Sequence, residues 1–244
     1  MSSNPMHQFE VYPIGPEINL GPVNLSFTNS SLFMLISSVA IILLLFFGTK
    51  KKLVIPSKVQ LIAEMSYSFV AKMISDTAGT SAKPFFPFIF TLFMFVLFCN
   101  MVGMLPYSFT VTSHIIVTFV LAATIFIGVT IIGFVKHGIR YLELFIPKGV
   151  PIVLLPLIVI IEIISYLSRP VSLSVRLFAN MMAGHTMLKV FGGFVISLGL
   201  LGGWLPLGFS VALTGLEILV AFLQAYVFAI LTCIYLNDAL NLHH

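Results

Sequence analysis

Seven side chains occupy places where so apolar a chain has no structural use for them: Glu162, Arg176, Asn180, His185, Glu217, Gln224 and Asp238. A charge at the centre of a bilayer costs about 2.5 to 3.5 kcal/mol even on the gentler insertion scale, so such a residue either works or is paired. Arg176 lies in Val175-Arg176-Leu177-Phe178-Ala179-Asn180. It cannot deprotonate to escape desolvation, which makes it a permanent cation suited to controlling a carboxylate. On one helix, Glu162 would sit about 21 Å before it along the axis, too far for an ion pair. Asn180 falls one turn beyond Arg176 on nearly the same face, where a hydrogen bond between helices is an equally good use. His185 falls about 180° around the helix from Arg176, which points to a separate cavity. Glu217, Gln224 and Asp238 share one stripe of the final helix.

These types suit proton transfer. Intramembrane Asp, Glu and His are default candidates for proton relays, and His titrates in the useful range. His185 and Glu217 fall in the half of the membrane nearer the outside, Glu162 and Asp238 in the inner half, with Arg176 and Gln224 between them. The pattern is two polar half-pathways, each open to one side and divided by a fixed positive charge. No group in the chain moves between the halves, so a mobile carboxylate on another subunit would complete the device. Two further cations have blander uses: Arg169, just before Pro170, snorkels to the cytoplasmic interface, and Lys189 reaches the outer headgroups.

The elements that position these residues follow from composition. Of 244 residues 59% are hydrophobic and only 8% charged, against about 25% charged in soluble chains. Mean hydropathy is +1.12, and an integral membrane protein follows. The expected architecture is all-α and polytopic, with about five membrane-inserted helices and one amphipathic surface helix. Residues 1–31, broken by Pro5, Pro13, Pro16 and Pro22, form an arm outside the bilayer. Leu32–Gly48 is a first span ending at Lys50, Lys51 and Lys52. Over 57–76, Val59, Ile62, Met65, Phe69 and Met73 oppose Gln60, Glu64, Ser68, Lys72 and Ser75, which predicts a helix lying on the membrane surface, its start marked by Ser57 and Gln60. A hairpin spans 85–135, its halves Phe85–Leu105 and Ile115–Val135 joined around Asn100–His114. Residues 150–240 read as two overlong antiparallel helices turning at Gly202–Pro206. A single helix over 150–199 would be roughly 75 Å long, more than twice the bilayer core, so it must tilt or break, with Pro156 and Pro170 as places to bend.

Basic residues set the orientation. Successive connections carry none (1–31), six (Lys50 to Lys83), none (106–114), three (Lys136 to Lys148) and none (200–208) Lys plus Arg. By the positive-inside rule the N-terminus is outside and the Lys-rich connections are cytoplasmic. A net charge of +4 reflects scarce acids, so nucleic acid is not an expected partner. Cys99 and Cys233 lie in apolar runs and read as core thiols. With no basic n-region and no Arg-rich leader in the first 31 residues, the chain is expected to be made and inserted in one compartment. Neither His-Glu-x-x-His nor Gly-x-Ser-x-Gly occurs, so an intramembrane hydrolase is disfavoured. No cofactor, metal or catalytic residue is expected. An ion-coupled secondary transporter is the alternative, although such folds show internal repeats and none is visible.

The stretch Arg169-Pro-Val-Ser-Leu-Ser-Val-Arg176-Leu-Phe-Ala-Asn180-Met-Met-Ala-Gly-His185 resembles the a subunits of F-type ATP synthases, as do Leu216-Glu217, Gln224-Ala-Tyr, Tyr235-Leu-Asn-Asp238-Ala and Pro106-Tyr-Ser-Phe-Thr-Val-Thr-Ser-His114. The similarity spans nearly the whole chain. In many bacterial members the positions of His185 and Glu217 carry Glu and His; the order here looks like the mitochondrial and alphaproteobacterial branch. The resemblance implies a non-catalytic stator, held with peripheral-stalk b subunits against a rotating ring of c subunits. Arg176 would keep the ring carboxylate ionised and block a proton short circuit, supported by Asn180 and Gln224. His185 and Glu217 would line the outer half-channel, Glu162 and Asp238 the cytoplasmic one. It also implies the cell inner membrane, with a periplasmic N-terminus and cytoplasmic C-terminus, or the mitochondrial inner membrane.

Overall fold

The structure, a computed structural model, describes residues 9–14, 19–20, 23–24, 26–50, 55–105, 108–146 and 154–241. Lys51, Lys52, Pro106, Tyr107, Lys148, the beginning of the last hairpin at 150–153 and much of the N-terminal arm lie outside the described residues. The protein is all-α. Its helices are α1 (Asn29–Lys50), α2 (Lys58–Ala78), α3 (Phe86–Gly103), α4 (Ile115–His137), α5 (Leu155–Gly202) and α6 (Trp204–Leu240), and the dipeptides β1 (Asn19–Leu20) and β2 (Val23–Asn24) pair antiparallel in the arm. Among the described residues five helices, all but α2, are long and apolar enough to cross a membrane.

Helix formation here leaves few hydroxyls adrift. Ser37 donates to the Phe33 carbonyl at 2.9 Å, Thr130 to Phe126 at 2.7 Å and Thr232 to Phe228 at 2.8 Å. Each bond satisfies a hydroxyl within its own helix, where lipid offers it nothing. The arm is tied to α1: Tyr12 N donates to Asn29 Oδ1 at 3.2 Å, and Asn29 Nδ2 donates to the Glu10 carbonyl at 3.0 Å. Those bonds begin α1 three residues before the apolar run does.

The Ser57 hydroxyl caps α2 by accepting from Gln60 N at 3.3 Å. The face that α2 turns inward is Gln60, Ala63, Val70, Met73 and Ile74. Most of the apolar stripe read from the sequence, Val59, Ile62, Met65 and Phe69, is exposed. Spacing shows that a helix has an apolar face but not whether lipid or protein covers it, and here the buried flank is rotated from the stripe, sharing Met73 with it.

Helices α5 and α6 are about 72 Å and 56 Å long at 1.5 Å per residue, both beyond a hydrocarbon core of about 30 Å. The residue at which the backbone of α5 leaves helical φ/ψ is not a proline. Pro156 sits in the first turn, where its missing N–H costs nothing. Pro170 is carried inside the helix, and the one non-helical residue within α5 is Gly199, at φ 59°. Only glycine adopts that backbone readily, so α5 breaks at Gly199 and the chain reverses by Gly203.

Along α6 the fully buried residues Ala221, Ala225, Ala229 and Cys233 recur every four positions. This stripe of small side chains lets neighbouring helices approach closely. The core built on it includes Val70 and Ile74 of α2, Phe93 and Met94 of α3, Ile125 of α4 and Leu173 and Leu177 of α5. Both cysteines are free and buried. Gly133 packs so tightly under Tyr141, from the 3-10 segment Gly138–Phe145, that a Cβ there would overlap the phenol ring.

Candidate functional site

The antiparallel pairing of α5 with α6 ranks the ionisable residues in tiers. Moving along α5 from Arg169 through Asn180 to His185, the partners on α6 run backwards from Asp238 through Gln224 to Glu217. The stripe of Glu217, Gln224 and Asp238 thus faces α5 throughout.

In the first tier His185 Nε2 stands 3.4 Å from Glu217 Oε1 and 3.0 Å from the Thr110 hydroxyl. Glu217 is 5% exposed, and among the described residues neither of its oxygens has a hydrogen-bond partner. A buried carboxylate without hydrogen bonds is costly when ionised. A proton on Glu217 or a cationic His185 would relieve that cost, and the two side chains stand close enough to share one. Gly184 makes the approach possible: a Cβ at that position would lie 2.8 Å from Glu217 Oε1.

In the middle tier Asn180 Nδ2 donates to Gln224 Oε1 at 3.0 Å. The bond joins the helices, while the buried Gln224 Nε2 has no partner among the described residues. Arg176, one turn before Asn180, is exposed on the outer surface of α5 beside Ser172, Ala179 and Ala183. It makes no hydrogen bond or ion pair with the described residues. His185 and Arg176 therefore occupy different faces, as their spacing requires.

In the third tier Arg169 Nη1 meets Asp238 Oδ2 at 3.2 Å. The guanidinium lies between two rings, 5.3 Å from the centroid of Tyr166 and 5.0 Å from that of Tyr235. Rather than snorkelling away, Arg169 turns into the protein, because a carboxylate and two aromatic faces offer it more than an interface does. Around it the Tyr166 hydroxyl contacts those of Tyr141 at 3.0 Å and Thr130 at 2.7 Å. A cavity of about 10 Å³, close to one water in volume, is lined by Tyr141, Tyr166, Arg169, Tyr235 and Asp238 among others. Glu162 is half-buried on α5 and makes no hydrogen bond or ion pair with the described residues, so it is not brought to Asp238 directly. Lys189 is exposed one turn beyond His185.

Sequence reasoning did not single out Thr110, Asn100 and Thr112 as site residues. Asn100 Nδ2 donates to the Ala221 carbonyl at 3.2 Å and its Oδ1 accepts from Thr112 at 2.9 Å. This pins the connection between α3 and α4 to α6 between Glu217 and Gln224. The one sequence signal was an Asn in an otherwise apolar helix, four residues after Val96. No three His, Cys, Asp or Glu side chains converge as a metal site would need among the described residues.

Apolar helices carrying the pairs Arg169–Asp238 and His185–Glu217 and an outward-facing Arg176 along one helix pair define a polytopic membrane protein with ionisable groups in register. The family model for the ATP synthase A chain matches residues 31–237. ATP synthase subunit a of Pelagibacter ubique is 78% identical over 244 residues, covering 100% of both chains. Its counterpart in Chelativorans sp. is 58% identical over 250 positions, again covering 100% of each, and that of Rhizobium rhizogenes is 58% identical over 247, covering 99% of this chain and 98% of its own. The chain belongs to the family of ATP synthase subunit a, with alphaproteobacterial relatives, and with it to the membrane machinery of ATP synthesis and proton transport.

Proposed function

We propose that the chain forms two offset aqueous half-channels that deliver protons to, and collect them from, a carboxylate on a rotating ring of c subunits. The observation that supports this most is the contrast between Arg176 and its neighbours. Asp238 has its cation in Arg169, and Glu217 has His185. Arg176 faces outward and makes no hydrogen bond or ion pair with the described residues, which suits it to a carboxylate supplied by another subunit. An opposite charge nearby favours the ionised form of that carboxylate, and a fixed cation between the two paths prevents a proton from passing straight through.

His185 and Glu217 serve the outer half-channel, Glu162 and Asp238 the cytoplasmic one, with Asn180 and Gln224 holding α5 and α6 in register beside Arg176. The partners are the c ring, the peripheral-stalk b subunits and lipid. The membrane is the cell inner membrane, with the N-terminal arm periplasmic, the Lys-rich connections and C-terminus cytoplasmic, α2 along the surface, and α5 and α6 strongly tilted. Each proton crossing about 100 mV then supplies about 2.3 kcal/mol to bias rotation.

The test is Arg176→Ala in the assembled complex. ATP-driven proton pumping is expected to be lost while the subunits still assemble. Normal pumping by the variant would overturn the assignment, and uptake of a small solute by this chain alone in liposomes would favour a transporter instead.

A further inference from the structure

The turn between α5 and α6 is built unlike the connection between α3 and α4. That connection is polar and covered, with Thr110, Thr112 and Ser113 each buried. From Val190 to Leu216 no Asp, Glu, Lys, Arg or His occurs. Its hydroxyls bond inside their own helices: Ser197 donates to the Phe194 carbonyl at 3.2 Å, Ser210 to that of Pro206 at 2.9 Å and Thr214 to that of Ser210 at 2.8 Å. Even the reversal keeps its backbone bonded, the Gly203 N–H to the Gly199 carbonyl at 2.9 Å and the Leu207 N–H to that of Gly203 at 3.1 Å. This stretch offers water almost nothing, yet Ile196, Leu205, Leu207, Phe209 and Val211 are more than half exposed. At about 100° per residue, the exposed Leu207, Val211, Trp204, Leu205 and Phe209 sweep about 200° around the start of α6, with the buried Pro206 on the remaining side. A packed neighbour meets an apolar stripe of about 100°, so an arc this wide suits a fluid apolar solvent better than a second protein wall. At its head stands Trp204, the chain's single tryptophan and 69% exposed. Its indole N–H, a donor only, makes no hydrogen bond with the described residues.

We propose that this turn lies inside the outer leaflet rather than in water, with the Trp204 ring at the level of the lipid ester carbonyls. There the N–H finds an acceptor while the ring stays in an apolar medium, which is why tryptophan collects at membrane interfaces. The choice of leaflet rests on the orientation proposed above; the depth does not. Trp204 thereby anchors the turn end of the long hairpin. With α6 about 56 Å long against a hydrocarbon core of about 30 Å, holding its first residue at the lipid carbonyls keeps the helix strongly inclined, as interfacial anchors do for overlong spans.

The test uses the assembled complex in phosphatidylcholine bilayers whose acyl chains carry bromine at chosen depths. Emission of the Trp204→Phe complex is subtracted, which isolates Trp204 from any tryptophan of other subunits. Quenching is expected to be at least about twofold stronger from bromines next to the carbonyls than from those near the bilayer centre, as an interfacial indole requires, with little quenching by aqueous iodide. Quenching by iodide alone would place the turn in water, and quenching by neither reagent would place it under another subunit; either result overturns the proposal. The anchoring role has its own readout: a spin label on Leu198→Cys, with Cys99 and Cys233 replaced by serine, whose depth is measured by collision with oxygen and with a nickel chelate. Trp204→Ala is expected to shift that depth by more than about 3 Å, the rise of two helical residues, and Trp204→Tyr, a ring that keeps a polar edge, to hold it near the parent value. An unchanged depth in Trp204→Ala would overturn the anchor. None of these readouts depends on which leaflet is the outer one, so a wrong orientation and a wrong anchor fail separately.

Discussion

Removing the Arg169 side chain tests the third tier quantitatively. Arg169 and Asp238 are 22% and 36% exposed, so their ion pair belongs toward the weak end, about 0.5 to 1 kcal/mol. Each ring contact, at 5.0 and 5.3 Å, adds about 0.5 to 1 kcal/mol. Together Arg169 contributes about 1.5 to 3 kcal/mol to holding the end of α6 against α5, or roughly a 10- to 150-fold change in local opening at 1.4 kcal/mol per tenfold. Cys233 supplies the readout, because its thiol is fully buried in the same stretch of α6 as Tyr235 and Asp238. In a Cys99→Ser background it is this chain's remaining cysteine. Its rate of modification by a membrane-permeant maleimide in the assembled complex follows the open population. Arg169→Ala is expected to raise that rate at least tenfold, with Arg169→Lys between the two because an ammonium keeps the charge but not the planar stack. A double-mutant cycle with Asp238→Ala should return only the ion-pair share, about 0.5 to 1 kcal/mol. A parent-level rate in Arg169→Ala would refute the reasoning; a coupling energy near zero would assign the whole effect to the tyrosines.

Gly133→Ala drives a methyl into the Tyr141 ring, so it is expected to release the Tyr141–Tyr166 contact and to accelerate Cys233 modification as Arg169→Ala does; an unchanged rate would show that the 3-10 segment does not brace this end. Asn180→Leu removes the donor to the buried Gln224 Oε1, at a cost of about 1 to 3 kcal/mol for an unsatisfied buried group. It is expected to lower the thermal stability of the assembled membrane sector, whereas Asn180→Gln, which can still donate, restores part of it; equal stability of all three would remove the middle tier as a fastening.

Much of this arrangement is legible in the residues because scarcity of charge makes each exception informative. The spacing of Glu217, Gln224 and Asp238 implied one stripe, and that stripe faces α5. The half-turn offset of His185 from Arg176 implied separate surroundings, and they have them. What spacing along one helix does not hold is the register between helices. Tyr166 precedes Arg169 by three residues and Tyr235 precedes Asp238 by three, yet that both rings close on one guanidinium depends on how α5 slides against α6. Thr110 was hidden for a related reason: a hydroxyl in a turn between two apolar helices looks like turn chemistry until the turn folds back onto His185. The break at Gly199 was missed because proline is the louder signal, although a long helix carries Pro170 at the loss of one backbone donor, whereas φ 59° leaves little choice but glycine.

The central claim is that the outward face of Arg176 meets the ring. A cysteine at Ala179, exposed beside Arg176, and one at Phe178, turned to the opposite side of α5, can each be paired with a cysteine next to the c-subunit carboxylate, with Cys99 and Cys233 replaced by serine. Oxidation of the assembled complex is expected to cross-link position 179 to the ring and to leave position 178 unlinked. Cross-linking from 178 with none from 179 would contradict the account at its centre.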